Sequence, residues 1–145
     1  MGVFDLRERV ATFIHENGSK WQIKRITPAK YREIEKAVSS KRDVFKKDKH
    51  GKEQHFEVVE KDDEKRMWMI FDAAVHGWED VELLLNDDDG PQKVECTAEN
   101  KRFVYDLDME SVKFVMDCMT TFDGVIKEQE EAEVKNLPSG PSSET

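Results

Sequence analysis

The stretch from Glu64 to Leu85, EKRMWMIFDAAVHGWEDVELLL, is the longest apolar-rich segment of the chain and restricts most what it can fold into. Met67, Ile70, Phe71, Ala74 and Val75 recur at three- and four-residue steps, the spacing of one buried helix face. Trp68 and Met69 widen that stripe, which predicts a helix touching protein on more than one side. Asp62 and Asp63 offer N-cap oxygens, and Glu64 puts negative charge near the positive end of the helix dipole. Gly77 stands where a left-handed residue would close the helix, and Trp78 follows as a large apolar anchor. Val81 to Leu85 reads either as a continuation of this helix or as a strand. The whole stretch predicts core and carries no chemistry.

Ahead of it, residues 9–26 read as a β-hairpin. Val10, Thr12 and Ile14 alternate with Ala11, Phe13 and His15, and Trp21, Ile23 and Arg25 alternate on the return. Asn17-Gly18 between the arms tolerates the positive φ angles of a tight turn. Leu6, Val10, Phe13 and Ile14 also fit a helical period; the Asn-Gly turn and the β-branched content decide for the hairpin. Thr27-Pro28 then announces a helix, with Thr as N-cap and Pro where its missing N–H costs nothing. Tyr31, Ile34, Ala37 and Val38 are its expected inner face. Residues 41–60 are read as a solvated loop, rich in Lys41, Arg42, Lys46, Lys47, Lys49 and Lys52. The alternative is a second hairpin pairing VFKK with HFEVV around His50-Gly51, or a contact for an acidic partner.

After the central stretch, NDDDGP at 86–91 is a turn. Thr97 caps a short helix holding Phe103, Val104 and Leu107. Asp108 caps a last, long one with Val112, Val115, Met116, Met119, Phe122, Val125 and Ile126 on its stripe. The fold class is therefore α+β: an N-terminal β-hairpin packed with a mainly helical core, as a single domain over residues 1–130. Residues 131–145 are too acidic and Ser/Pro/Gly-rich to pack and read as a flexible tail.

Charge excludes some partners. The chain carries −9 in all, but residues 1–60 hold 14 basic against 10 acidic side chains, and residues 61–145 hold 9 against 22. So acidic a C-terminal half argues against nucleic acid and anionic membranes as main partners. Lys20, Trp21, Lys24 and Arg25 pattern like a base-stacking hairpin, yet the net charge favours Trp21 facing the core. No apolar run approaches a membrane span, and the charged start MGVFDLRERV does not read as a secretory signal. Cytosol with reduced Cys96 and Cys118 is the expected setting.

Tests for chemistry come back empty. NDDDG resembles the start of a calcium loop, but placing Gly90 at its sixth position puts Leu85 first and Cys96 twelfth, where acidic ligands are required. His15, His50, His55 and His76 have no ligand spacing with one another, and His76 lies one turn from Asp72 without a third ligand. Cys96 lies beside a helix start that can lower a thiol pKa, with no base nearby in sequence. No phosphate loop, nucleophile elbow or zinc-protease motif occurs. The reading is no enzyme, no cofactor and no metal. What remains is interaction: the Met116–Met119–Phe122 face of the last helix, adaptable to several partners, running into the acidic Glu128, Glu130, Glu131 and Glu133.

The order of parts resembles one family. A hairpin leads into a Thr-Pro-capped helix (KWQIKRITPAKYREI), and a helix gives way to a Gly-Trp and acidic step (AAVHGWEDVELLLNDDDG). A Thr-capped entry (CTAEN), an Asp-capped last helix (DLDMESVKFVMDC) and the tail EEAEVKNLPSGPSSET complete it. This is similar to the tail assembly chaperones of long-tailed bacteriophages and prophages, over most of the chain; the basic segment 41–52 departs from that pattern. The resemblance implies a non-enzymatic protein of the host cytoplasm, absent from the mature virion. Such a protein binds and solubilises the tape measure protein and helps recruit tail tube subunits during tail morphogenesis. It further implies a longer product made by translational frameshifting and possible self-association into rings or spirals. The alternative is a virion structural protein, a tail completion or connector component. The family transfers no functional residue; the Met116–Phe122 face and the four glutamates are inferred from this sequence.

Overall fold

The computed structural model describes residues 2–136. Strands β1 (Val10–Ile14) and β2 (Lys20–Lys24) form the expected hairpin, with Gly18 at φ 89° in its turn. Helix α1 (Pro28–Val38) starts on the Thr27 cap, whose hydroxyl accepts the Lys30 N–H at 3.1 Å. Then come β3 (Ser39–Lys47), β4 (Glu53–Lys61), α2 (Asp63–Ala74), β5 (Val75–Glu79), the short β6 (Glu82–Leu83) and β7 (Gln92–Lys93), α3 (Ala98–Leu107) and α4 (Met109–Asn136). Asp62, Thr97 and Asp108 behave as their sequence positions predict. Asp62 and Thr97 accept N–H groups of the first turns of α2 and α3, and Asp108 accepts from Glu110 N–H and the Ser111 hydroxyl ahead of α4.

The central sheet is antiparallel in the order β1-β2-β5. Ala11, Trp21, Ile23, Val75 and Trp78 are its buried residues, and Ile70, Phe71, Ala74, Val115, Cys118 and Phe122 of the helices complete the core with them. Trp21 is 2 % exposed, its ring 5.2 Å from Trp78 and 5.8 Å from Phe114. The base-stacking reading of Trp21 falls with this, since Lys24 pairs with Glu8 and Arg25 with Asp123 while the indole is buried.

The central stretch departs from expectation in an instructive way. The helix ends at Ala74, and Gly77 lies in a strand rather than in a left-handed helix cap. The left-handed residue is Asp80, at φ 59°. The cause is pairing with β2: Trp78 lies opposite Trp21 and Val75 opposite Ile23, with the register shifting between them. That bulge leaves His76 without a partner and lets Val75 and Trp78, an odd number of residues apart, both point inward. Gly77 faces Gln22, whose Oε1 lies 2.5 Å from where a Cβ would stand.

On α1, Ile34 and Val38 are buried, but Tyr31 and Ala37 are exposed, so the inner face is narrower than the sequence pattern. Residues 41–60 are not a solvated loop but the alternative hairpin of VFKK with HFEVV, Val44 lying opposite Phe56 and Phe45 opposite His55. They form most of an antiparallel ribbon in which every residue of β3 faces one of β4, from Ser39–Lys61 to Lys47–Glu53. Finally, α4 continues to Asn136, through the first residues assigned to the tail; residues 137–145, the rest of it, lie outside those described.

Candidate functional site

The face expected from sequence is divided by the fold. Phe122 is buried, 6.5 Å from the Phe13 ring, with the Arg25 guanidinium 5.4 Å from its own ring. Met116 and Met119 are half-buried against the same core. An apolar stripe facing a sheet is consumed by that sheet, so Phe122 is a core residue and not a partner contact. Of the glutamates, Glu128, Glu131 and Glu133 are exposed. Glu130 pairs with Arg9, which also holds Asp5. Beside it the Gln129 amide accepts from the Thr12 N–H at 3.4 Å and donates to the Thr12 carbonyl at 2.7 Å. This end of α4 is thus tied to the outer edge of β1.

A different surface has the properties of a docking site. The first turns of α2, the end of α3 and the start of α4 enclose an open cleft of about 770 Å³. Its floor is Trp68, Tyr105 and Val112, and its lip is Leu107 and Met109, with relative exposures of 74 % and 84 %. These two flank Asp108, the residue between the helices, where neither can turn back onto its helix's buried stripe. Trp68 and Tyr105 stand edge to face at 5.4 Å, and the Arg102 guanidinium lies over both rings, 4.8 and 5.4 Å from their centres. Arg102 Nε donates to Asp106 at 3.1 Å, which fixes the guanidinium plane. Burial pushes the Tyr105 phenol up from its ordinary value, so it stays neutral across physiological pH. Asp62, Glu64 and Asp106 set an acidic rim, interrupted by Lys65.

Apolar floor, rigid aromatic pair and charged rim suit the apolar face of a helix or loop from another protein. Cys96, the one nucleophile beside a helix start, has its thiol pushed up by burial, and Cys118 is pushed up to about 12 by burial, so both stay protonated. Among the described residues no group of three or more His, Cys, Asp or Glu side chains could share a metal ion, and no helix is long and apolar enough to cross a membrane. Sequence reading missed the cleft because Leu107 patterns as an ordinary stripe residue and Met109 falls outside the stripe of the last helix. The available signal was their position on either side of a capping Asp, where one stripe ends before the next begins.

Compared with known proteins, the chain matches no family model, no curated protein and no solved structure.

Proposed function

We propose that this protein is a non-catalytic tail assembly chaperone of a bacteriophage or prophage. It binds the tape measure protein, keeps it soluble and helps recruit tail tube subunits. The observation carrying the reading is the open cleft of Trp68, Tyr105, Leu107, Met109 and Val112. A tape measure is a long amphipathic helix that exposes apolar surface. A cleft that seats such a surface on aromatic anchors, within an acidic, heavily charged body, keeps that helix from aggregating. Leu107 and Met109 are the contacts that enter the partner. Glu128, Glu131 and Glu133 serve as the acidic approach, with Glu130 retained by Arg9.

Co-expression with the tape measure protein of the same gene cluster tests this reading. The expected result is a soluble complex of the two, with the chain missing from purified particles. A tape measure that stays insoluble whether or not the chain is present overturns it. Recovery of the chain in particles selects a virion component instead.

A further inference from the structure

The β3–β4 ribbon is independent of the cleft and has its own chemistry. It leaves the body between α1 and α2 and, among the described residues, pairs with no third strand. Two-stranded ribbons are marginal alone in water, and this one exposes apolar side chains on both faces: Phe45 at 61 %, Val59 at 54 % and Phe56 at 46 %. At its base Glu35 of α1 binds Lys61 Nζ at 3.0 Å and Arg66 Nε of α2 at 2.6 Å, anchoring the ribbon to the helices.

The ladder tells which main-chain groups are free. Asp62 N–H donates to the Val38 carbonyl, and Asp48 N–H to the Lys52 carbonyl, at the two ends of the ribbon. Hydrogen-bonded pairs alternate with non-bonded ones in an antiparallel ladder. Lys41, Asp43, Phe45 and Lys47 therefore turn their N–H and C=O groups outward along β3. The outer edge of β1 is covered at Thr12 by the Gln129 amide; among the described residues nothing covers β3.

The two edges differ in charge. β3 carries Lys41, Arg42, Lys46 and Lys47 against Asp43, whereas β4 carries Glu53, Glu57 and Glu60 against Lys61. Lys41 and Arg42 pair with Glu57 and Glu60 within the ribbon, but Lys46, Lys47, Lys49 and Lys52 have no acidic partner among the described residues. Residues 39–61 carry +2 and the rest of the chain −11. Edge lysines reject a basic or neutral strand, and the same lysines attract an acidic one.

We propose that the outer edge of β3 receives an extended, acidic segment of a partner protein as a third strand. Its main chain pairs with Lys41, Asp43, Phe45 and Lys47, its carboxylates meet Lys46 on one face of the ribbon, and its apolar side chains cover Phe45 on the other. The ribbon is then a second docking element, for a strand where the cleft takes a helix.

The probe is a labelled peptide as long as β3 that alternates glutamate with valine, titrated against the full chain. The same peptide with lysine for glutamate is the control. The acidic peptide is expected to bind, to protect the amides of residues 41, 43, 45 and 47 from hydrogen exchange, and to leave β4 amides unchanged. Asp43→Pro separates strand addition from plain attraction. Position 43 is a non-bonded pair with Glu57, so proline leaves the ladder intact, removes one outward donor and adds net positive charge. Strand addition predicts binding weaker by about tenfold; charge attraction alone predicts tighter binding. A variant joining Ser40 to Glu60 through two glycines, residues that already face each other, should keep the body's far-UV spectrum and lose binding. Equal binding of the lysine peptide, tighter binding by Asp43→Pro, or retained binding without the ribbon overturns the proposal. So does preference of the ribbon for duplex DNA, or ribbon-dependent self-association in sedimentation, which would make a second copy the occupant.

Discussion

Removing one hydroxyl, with Ser19→Ala, should cost more than its size suggests. Ser19 is a 2 % exposed residue in the β1–β2 turn, and its Oγ accepts the Trp21 indole N–H at 2.9 Å while donating to Asn17 Oδ1. Alanine fills nearly the same space, so packing changes little. The loss is electrostatic: the Trp21 Nε1 donor belongs to a side chain only 2 % exposed, packed among Trp78, Phe71 and Phe114. An orphaned buried donor costs roughly 1–3 kcal/mol. Trp21→Phe removes the donor itself at the expense of indole volume, below the ~3–5 kcal/mol of a truncation to alanine. In that background Ser19→Ala should cost only about 0.5 kcal/mol or less, a coupling of ~1–2 kcal/mol between two residues in contact. Urea unfolding followed by far-UV circular dichroism gives all four free energies without relying on tryptophan emission. Equal cost of Ser19→Ala in both backgrounds would refute the idea that the hydroxyl serves the indole.

Three further outcomes follow from the surface. Lys61, and with it Arg66, holds the Glu35 carboxyl below its ordinary range. Its contribution is therefore complete above the unfolded value near about 4.3 and is lost as pH falls through the lower folded value. Melting temperature measured downward from about pH 5 should fall less steeply in Glu35→Gln than in the native chain; parallel curves would contradict this. Reversing Glu128, Glu131 and Glu133 to lysine should weaken capture of the tape measure protein with stability unchanged within about 0.5 kcal/mol. Adding Glu130→Lys should lower the melting temperature, because it sets like charge against Arg9; unchanged capture in the triple variant removes this face from the account.

Local chemistry made much of the fold legible. Asn17-Gly18, Thr27-Pro28, Asp62 and Thr97 each act through one or two hydrogen bonds within a few residues, so their roles can be read without knowing the rest of the chain. The end of α2 could not be read this way. Val75 belongs to the helical stripe by its spacing, yet Val75 to Glu79 becomes strand because β2 offers Trp21 and Ile23 as cross-strand partners, a long-range preference. Sequence leaves the ribbon undecided between loop and hairpin for the opposite reason. Both of its faces meet water, so Phe45, Phe56, Val58 and Val59 interrupt the charges without the alternation of a half-buried strand. Phe122 shows the converse error, since a Met- and Phe-bearing stripe reads the same whether it meets a partner or its own sheet. The cleft needed three helix ends brought together, which no local pattern records.

The cleft beside Leu107 and Met109 is the proposed seat of an apolar helix. The most direct measurement is the affinity of a tape measure helix for the native chain and for the Leu107→Glu, Met109→Glu double variant, by fluorescence anisotropy with melting curves alongside. Both side chains are largely exposed, so stability should hold within about 0.5 kcal/mol per site while affinity falls by about tenfold or more. Undiminished affinity in a folded double variant would place the contact elsewhere, and no binding by the native chain would end the claim.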